Sequence, residues 1–159
     1  MRRSSALRPL SAEHHQALLL AFQLRKSLEG HAETAGAPAD LPGLVRLVRA
    51  FHEKTFTPHA AAEEELLGRH LPEGDMHRLR AEHVELGLHA RSARTSAPPA
   101  QRAALAAYAE LLERHVRWEE RELFPFAEAT LAGDELSAIG GELERRLALA
   151  GQTARTPRR

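Results

Sequence analysis

Apolar side chains recur at three- and four-residue steps along the segment from Leu105 to Phe126. The stripe consists of Leu105, Tyr108, Leu112, His115, Glu119, Leu123 and Phe126. These positions share one face of an α-helix, so the pattern predicts a helix that packs against a core. The stripe is apolar except at His115 and Glu119, which lie one turn apart in its middle. A carboxylate on a buried face is costly unless it is paired or bound to a metal, so this pair is a candidate for chemistry.

The same arrangement occurs earlier in the chain. The spacing H-x3-E-E-x2-L is shared by His59, Glu63, Glu64, Leu67 and by His115, Glu119, Glu120, Leu123. A histidine and a glutamate four residues apart lie on the same side of a helix and can hold one cation between them. Two copies on two long helices therefore predict one metal site that both helices share.

The rest of the pattern divides into helices separated by breaks rich in glycine and proline. Helix 1 is expected from the N-cap Ser11 to about Glu29, helix 2 from 41 to 70 with a distortion at Pro58, helix 3 from 75 to 93 and helix 4 from 100 to 131. A short final helix is expected over 134–149. Residues 1–9 are predicted to be a flexible arm and 151–159 a disordered tail. The domain, 10–150, is then an all-α, up-down-up-down four-helix bundle with a short C-terminal helix.

Each of the four long helices carries one histidine on its inner face: His14, His59, His83 and His115. His14 is a better inward candidate than its neighbour His15, which lies about 100° around the helix. In an up-down-up-down bundle all four reach a similar depth. Together with Glu63 and Glu119 they fit a site for two metal ions, with the carboxylates as bridges and the histidines as terminal ligands.

Composition supports one small helical domain. The chain has 159 residues, of which 28% are charged and only 4% are aromatic. The formal net charge is zero, so neither a nucleic acid nor a membrane surface is expected as a partner. The absence of cysteine excludes thiolate metal sites and disulfides. No stretch reaches the length of a membrane span and the N-terminus has no apolar signal segment, so a cytoplasmic protein is expected.

At this point the sequence resembles the hemerythrin-like family, also called the HHE cation-binding domain. The resemblance is carried by AEHHQAL at 12–18, PHAAAEEELL at 58–67, AEHVEL at 81–86 and RHVRWEERELFP at 114–125. It implies a four-helix bundle with a non-haem di-iron centre bridged by an oxo or hydroxo group, with zinc or manganese as alternative metals. By the same resemblance the metal ligands are His14, His59, Glu63, His83, His115 and Glu119.

One position departs from the oxygen-carrying members of that family. They have a second histidine four residues after the histidine of helix 3, and this chain has Gly87 there. The difference implies an open coordination position and vacated volume beside the site. Both features favour reactivity or small-ligand sensing over reversible oxygen carriage.

Further polar residues have two readings. Glu64, Glu65, Glu120 and Glu122 are interpreted as solvated partners of nearby arginines. Glu82 or Glu13 is a candidate to orient the metal-binding histidines. His52 could contribute to the site or only pack beside it. Tyr108 could hydrogen-bond a bound species, although a packing role is the simpler interpretation.

Three functional hypotheses follow. The first is a di-iron protein that binds O2 or a related diatomic such as NO, for sensing, storage or redox chemistry. The second is an oxidase, a peroxidase acting on peroxide, or an iron-repair protein that uses the same centre. The third is a bundle stabilised by iron or zinc whose role is to bind a protein partner. The sequence does not decide whether the protein is an enzyme.

Overall fold

The computed structural model describes residues 4–155, with side chains described through residue 151. Within these residues every regular element is helical. The α-helices are α1 Arg8–Leu28, α2 Ala32–Ala35, α3 Leu41–Phe51, α4 Thr57–Leu66, α5 Glu73–Thr95, α6 Pro98–Trp118, α7 Phe124–Thr130 and α8 Gly133–Arg155. Two π-helical segments, His52–Phe56 and Glu119–Leu123, and a 3₁₀ turn, Gly68–His70, join some of them. The prediction of an all-α fold is confirmed.

Helix α1 begins earlier than the sequence suggested. Its first residue is Arg8, with Pro9 in the first turn, where a missing backbone N–H is tolerated. Leu7 is buried before it, and the hydroxyl of Ser11 does not cap the helix but donates to the Glu120 carboxylate at 2.6 Å. The last two residues of the predicted flexible arm, 8 and 9, are therefore helical. Residues 1–3 of that arm lie outside the described residues.

Proline explains where the second and fourth long helices change their hydrogen-bonding pattern. Pro58 follows the π-helical segment His52–Phe56, and Pro125 follows the π-helical segment Glu119–Leu123. Proline has no backbone N–H to donate to the preceding turn, so the turn before it widens. The distortion expected near Pro58 is present, and the one before Pro125 was not predicted. Asp40 caps the N-terminus of helix α3, because its side chain accepts from the Gly43 N–H at 2.7 Å.

The core has two apolar clusters, one on each side of a polar layer. The first cluster includes Ala17, Leu86 and Leu112, and the second includes Leu10, Leu79 and Trp118. On α1, α5 and α6 the buried histidine lies between one residue of each cluster. The two clusters therefore hold the histidine-bearing turns in place and keep the layer between them away from water.

The C-terminal helix is not short. Helix α8 has 23 residues, Gly133–Arg155, whereas the sequence predicted 134–149 followed by a disordered tail. Its residues Ile139, Leu143 and Leu147 are buried in the second cluster, and this packing explains a helix as long as α5. Residues 156–159 of the predicted tail lie outside the described residues.

A close approach between α8 and the segment before α1 gives a test of this packing. A Cβ atom on Gly140 would lie 2.6 Å from the Ala6 Cα, whereas one on Gly141 would meet nothing within 4 Å. We expect Gly140→Val to lower the free energy of unfolding by about 2 kcal/mol, as overpacking of a core typically does. The control Gly141→Val should change it by less than about 0.5 kcal/mol. Urea unfolding measures both, and equal effects would contradict the contact.

Among the described residues, none of the helices is both long enough and apolar enough to cross a lipid bilayer.

Candidate metal centre

The structure brings the predicted site residues together in the layer between the two apolar clusters. All of them are buried: His14 on α1, His59 and Glu63 on α4, His83 on α5, His115 on α6 and Glu119 at the start of the second π-helical segment. Glu63 and Glu119 have no exposed surface. Each helix contributes its residue because the inward stripe places that side chain between two apolar neighbours.

The donor atoms fall into two overlapping sets. The His14–His59 set consists of His14, His59 and Glu119, and the His83–His115 set consists of Glu63, His83, His115 and Glu119. Within each set the donor atoms lie within 4.8 Å of one another. Glu119 is common to both sets. Glu63 belongs to one set, although both glutamates were predicted as bridges.

The distances within the sets are short on both sides of Glu119. His14 Nε2 lies 3.3 Å from His59 Nε2 and 3.1 Å from Glu119 Oε2. On the other side, His115 Nε2 lies 2.9 Å from Glu119 Oε1. His83 Nε2 lies 3.5 Å from Glu63 Oε2, which is also 3.9 Å from His59 Nε2.

When each ring is protonated on Nδ1 alone, several inward-facing acceptor atoms meet other acceptors and have no hydrogen-bond donor among the described residues. They are both carboxylate oxygens of Glu63, both of Glu119, and Nε2 of His83 and His115. Buried polar atoms of this kind are rare in folded proteins because each one loses its interactions with water. Positive ions among them would satisfy these oxygens and nitrogens together, so the residues present fit a metal centre.

The outward nitrogen of each histidine is also held. Each Nδ1–H donates to a different carboxylate: His14 to Glu120 at 2.7 Å, His59 to Glu13 at 2.9 Å, His83 to Glu64 at 2.7 Å and His115 to Glu82 at 2.8 Å. A carboxylate can only accept, so each histidine carries a proton on Nδ1, and Nε2 is the nitrogen that can bind a metal once the ring is neutral. Hydrogen-bond partners of this kind orient metal-binding histidines and make Nε2 a stronger ligand for the metal.

Two of these four carboxylates were expected and two were not. Glu13 and Glu82 were candidates for this role. The interpretation of Glu64 and Glu120 as solvated partners of arginines was incomplete. Glu64 does lie 3.4 Å from Arg80, but each of the two glutamates also reaches a histidine on a neighbouring helix. The sequence feature that could have indicated this role is the second glutamate, which occurs in both H-x3-E-E copies.

The outer carboxylates allow a direct test of this arrangement. We expect Glu64→Gln to lower metal affinity about 10- to 100-fold, the range typical for such partners, because His83 loses its charged acceptor. The adjacent Glu65 is exposed and pairs with Arg146 instead, so Glu65→Gln is a matched control that should leave affinity unchanged. Competition with a chromogenic chelator measures both variants. Equal affinities in the two variants would show that Glu64 does not support the site.

The charges of the metal-free site depend strongly on one another. Burial alone would lower the pKa of His14, but Glu119 and Glu120 outweigh it and raise that pKa to about 9. Burial would likewise lower the pKa of His115, yet Glu119 and Glu82 raise it to about 10. Burial and the nearby Glu119 raise the pKa of Glu63. Burial opposes ionisation of Glu119 too, but His115 and His14 hold its pKa well below the usual range.

The other histidines considered lie outside the two donor sets. His15 and His77 are exposed, and His70 lies 3.6 Å from the Glu135 carboxylate. His52 lies on the first π-helical segment and contacts Tyr108. It also occupies the space beside Gly87, because a Cβ atom there would lie 3.8 Å from His52 Nε2.

The chain matches the family described as the hemerythrin HHE cation binding domain over residues 5–138. The match covers most of the chain, and the protein belongs to that family, as the resemblance predicted. No curated protein and no solved structure matches the chain. Family membership and the buried histidine–glutamate cluster together identify a metal-binding helical bundle.

Proposed function

We propose that the protein is a non-haem di-iron protein whose centre binds O2 or a related diatomic such as NO. The observation that carries this proposal is a cavity of about 10 Å³ beside the His14–His59 set. A space of that size is near the minimum that admits one water molecule, so only a ligand of two or three atoms is expected to enter, with small movements of the lining side chains. The candidate ligands that line the cavity are His14, His59, His115 and Glu119. The rest of its lining consists of Glu13, Ala17, Phe51, Thr55, Phe56, Leu112 and Val116.

The two donor sets support two ions rather than one. The His83–His115 set offers four side chains and the His14–His59 set offers three, with Glu119 common to both. Mixed imidazole and carboxylate donors without thiolate suit iron, and helical bundles commonly build dinuclear carboxylate centres from facing helices. The set with fewer protein donors leaves more room for an added ligand, and all three of its residues line the cavity.

The chain's own residues would control the chemistry of a bound ligand. Bound ferrous iron would supply the electrons that reactions of O2 require. Phe51 and Phe56 exclude water from the cavity, which strengthens electrostatic interactions inside it. Glu13 and Glu120 fix the orientation of His59 and His14 through their Nδ1 atoms, so the donors keep their positions when a ligand enters.

We also infer the up-down-up-down order of the long helical segments. The connections between them are short: residues 96 and 97 alone separate α5 from α6. Short connections favour antiparallel neighbours. The meeting of one histidine from each segment at one level supports the same order.

Filling the cavity tests the proposal. Ala17 is buried at its wall, so Ala17→Leu should keep iron while lowering NO affinity at least about tenfold, an effect of about 1.4 kcal/mol. Ala61 is exposed on α4, and Ala61→Leu adds the same volume without touching the cavity. Optical titration of the ferrous protein with NO measures both variants. A wild-type protein that gives no optical change with NO or O2, or equal NO affinity in both variants, would contradict the proposal.

A further inference from the structure

Tyr108 is a buried phenol that the proposed metal centre does not use. It is the only tyrosine of the chain and has no exposed surface. Its hydroxyl lies 3.2 Å from His52 Nδ1. On α6 it precedes His115 by seven residues, which is about 10.5 Å of helical rise. Burial raises the pKa of Tyr108, so its phenol keeps the proton that it donates to His52.

His52 connects this phenol to the protein surface. Burial lowers the pKa of His52, so the ring is neutral and its Nδ1 can accept a proton. Its Nε2 faces Gly87, where a Cβ atom would lie 3.8 Å away. The ring forms part of a surface groove of about 310 Å³, whose polar lining consists of Arg49, His52, Glu53, Arg91, Arg94 and Thr95. Glu53 pairs with Arg49 and lies 4.0 Å from Arg94, so the groove holds three positive charges against one negative charge and favours a small anion.

A continuous series of ring contacts joins the groove to the candidate metal ligands. The ring centroid of Tyr108 lies 5.8 Å from that of His52, which lies 5.0 Å from that of Phe56. Phe56 in turn lies 5.5 Å from His83 and 6.3 Å from His115. Phe56 is buried, so the path is shielded from water between its ends.

We propose that Tyr108 and His52 form a relay that passes one electron from this groove to the metal centre, with His52 holding the phenol proton meanwhile. The inference rests on the proposed iron centre, with hydrogen peroxide as the oxidant. The O–O bond of the peroxide would break as two electrons and two solvent protons convert it to two water molecules, and bound iron would supply one electron and Tyr108 the other. Tyr108 gives one electron to the peroxide-oxidised centre, its O–H bond breaks, and the proton forms a new N–H bond at His52 Nδ1. A small anionic one-electron reductant in the groove then returns the electron, and His52 returns the proton to the phenol oxygen.

The other oxidisable ring near the site is less suited to this role. Trp118 lies 6.3 Å from His115 between ring centroids. The Arg78 guanidinium, however, lies 4.0 Å from the centre of the Trp118 ring. A fixed positive charge there opposes the positive charge that an oxidised indole carries before it loses a proton. Tyr108 instead has a neutral base within hydrogen-bonding distance.

The first experiment needs no metal. In the metal-free protein, hexachloroiridate(IV) serves as an anionic one-electron oxidant, and stopped-flow absorption follows the tyrosyl radical. His52→Leu should slow radical formation about 100-fold, which is the low end of what a positioned proton acceptor contributes. His77 is exposed and away from Tyr108, so His77→Leu should leave the rate unchanged. An unchanged rate in His52→Leu would overturn the role of His52.

The second experiment tests the link to the metal. Iron-loaded protein is mixed with hydrogen peroxide, frozen and measured by electron paramagnetic resonance, with ring-deuterated tyrosine incorporated in a parallel sample. The expected radical signal narrows on deuteration and is lost in Tyr108→Phe, while iron content stays the same. Two results would overturn the role of Tyr108: a radical signal that deuteration does not change, or the absence of a radical signal when peroxide does change the iron absorption. Failure to bind iron would instead contradict the proposed function, and the iridate experiment would still decide whether Tyr108 and His52 act together.

Discussion

Replacing Glu119 with glutamine is expected to empty both metal positions. Its carboxylate belongs to both donor sets and lies 3.1 Å from His14 Nε2 and 2.9 Å from His115 Nε2. Glutamine keeps the size of the side chain but removes the charge that balances two cations in a fully buried layer. Metal content after loading and dialysis, measured by elemental analysis, should fall from about two ions per chain to nearly none.

Two further variants make this result specific. Glu63 belongs to one set only, so Glu63→Gln should leave about one ion per chain. Glu122 lies in the same π-helical segment as Glu119 but is exposed, and Glu122→Gln should keep full metal content. Full metal content in Glu119→Gln, or loss in Glu122→Gln, would show that Glu119 does not bridge the centre.

Metal binding is expected to release about two protons per chain at pH 7.5. In the metal-free protein the neighbouring carboxylates raise the pKa of His14 to about 9 and that of His115 to about 10, so both rings are protonated at this pH. A metal needs the neutral imidazole, and both protons must leave. Apparent affinity should therefore rise by up to about 100-fold per pH unit below pH 9 and level off above about pH 10.

Calorimetric titration with zinc in two buffers of different protonation enthalpy counts the released protons. Zinc avoids redox chemistry and uses the same donor types. The same raised pKa values mean that protonation of His14 and His115 stabilises the metal-free fold fully below the ordinary value of 6.5. That contribution is lost as pH rises through 9 to 10. Zinc binding without proton release would show that the two rings are neutral before the metal enters.

The inner residues of the site could be predicted because helical spacing is a local property. Three- and four-residue steps place His115 and Glu119 on the same face as Tyr108 and Leu112, whatever the partner helices are. The repeated H-x3-E-E element then points to a second helix with the same inward pair. To predict that the four histidines lie at a matching depth, only the rise per residue and the direction of each helix were needed.

The outer carboxylates could not be assigned in the same way. Glu64 and Glu120 lie one residue beyond the inward glutamates, about 100° further around the helix, where a polar residue is usually solvated. Whether such a side chain meets water or a histidine depends on how closely the neighbouring helix packs. Glu120 meets His14 of α1 and Glu64 meets His83 of α5, and both contacts are tertiary.

The helix ends were hardest to predict for a similar reason. The sequence placed the start of helix 1 at a polar cap, Ser11, but burial of Leu7 against α8 extends the ordered chain before it. The second π-helical segment precedes Pro125. A proline can kink a helix or only widen the turn before it, and the packing of the flanking residues decides which of the two occurs. Local preferences of a few tenths of a kcal/mol are overridden by this burial.

The most direct test of the di-iron centre is the metal content of protein purified without oxygen, with absorption spectra recorded before and after exposure to O2 or NO. We predict about two irons per chain and a new near-ultraviolet and visible band after exposure, because imidazole and carboxylate donors meet beside a cavity that admits only a small ligand. Zinc in place of iron, or no metal and no spectral change, would contradict a redox-active centre. The buried carboxylates of Glu63 and Glu119 would then favour a bundle stabilised by a redox-silent ion.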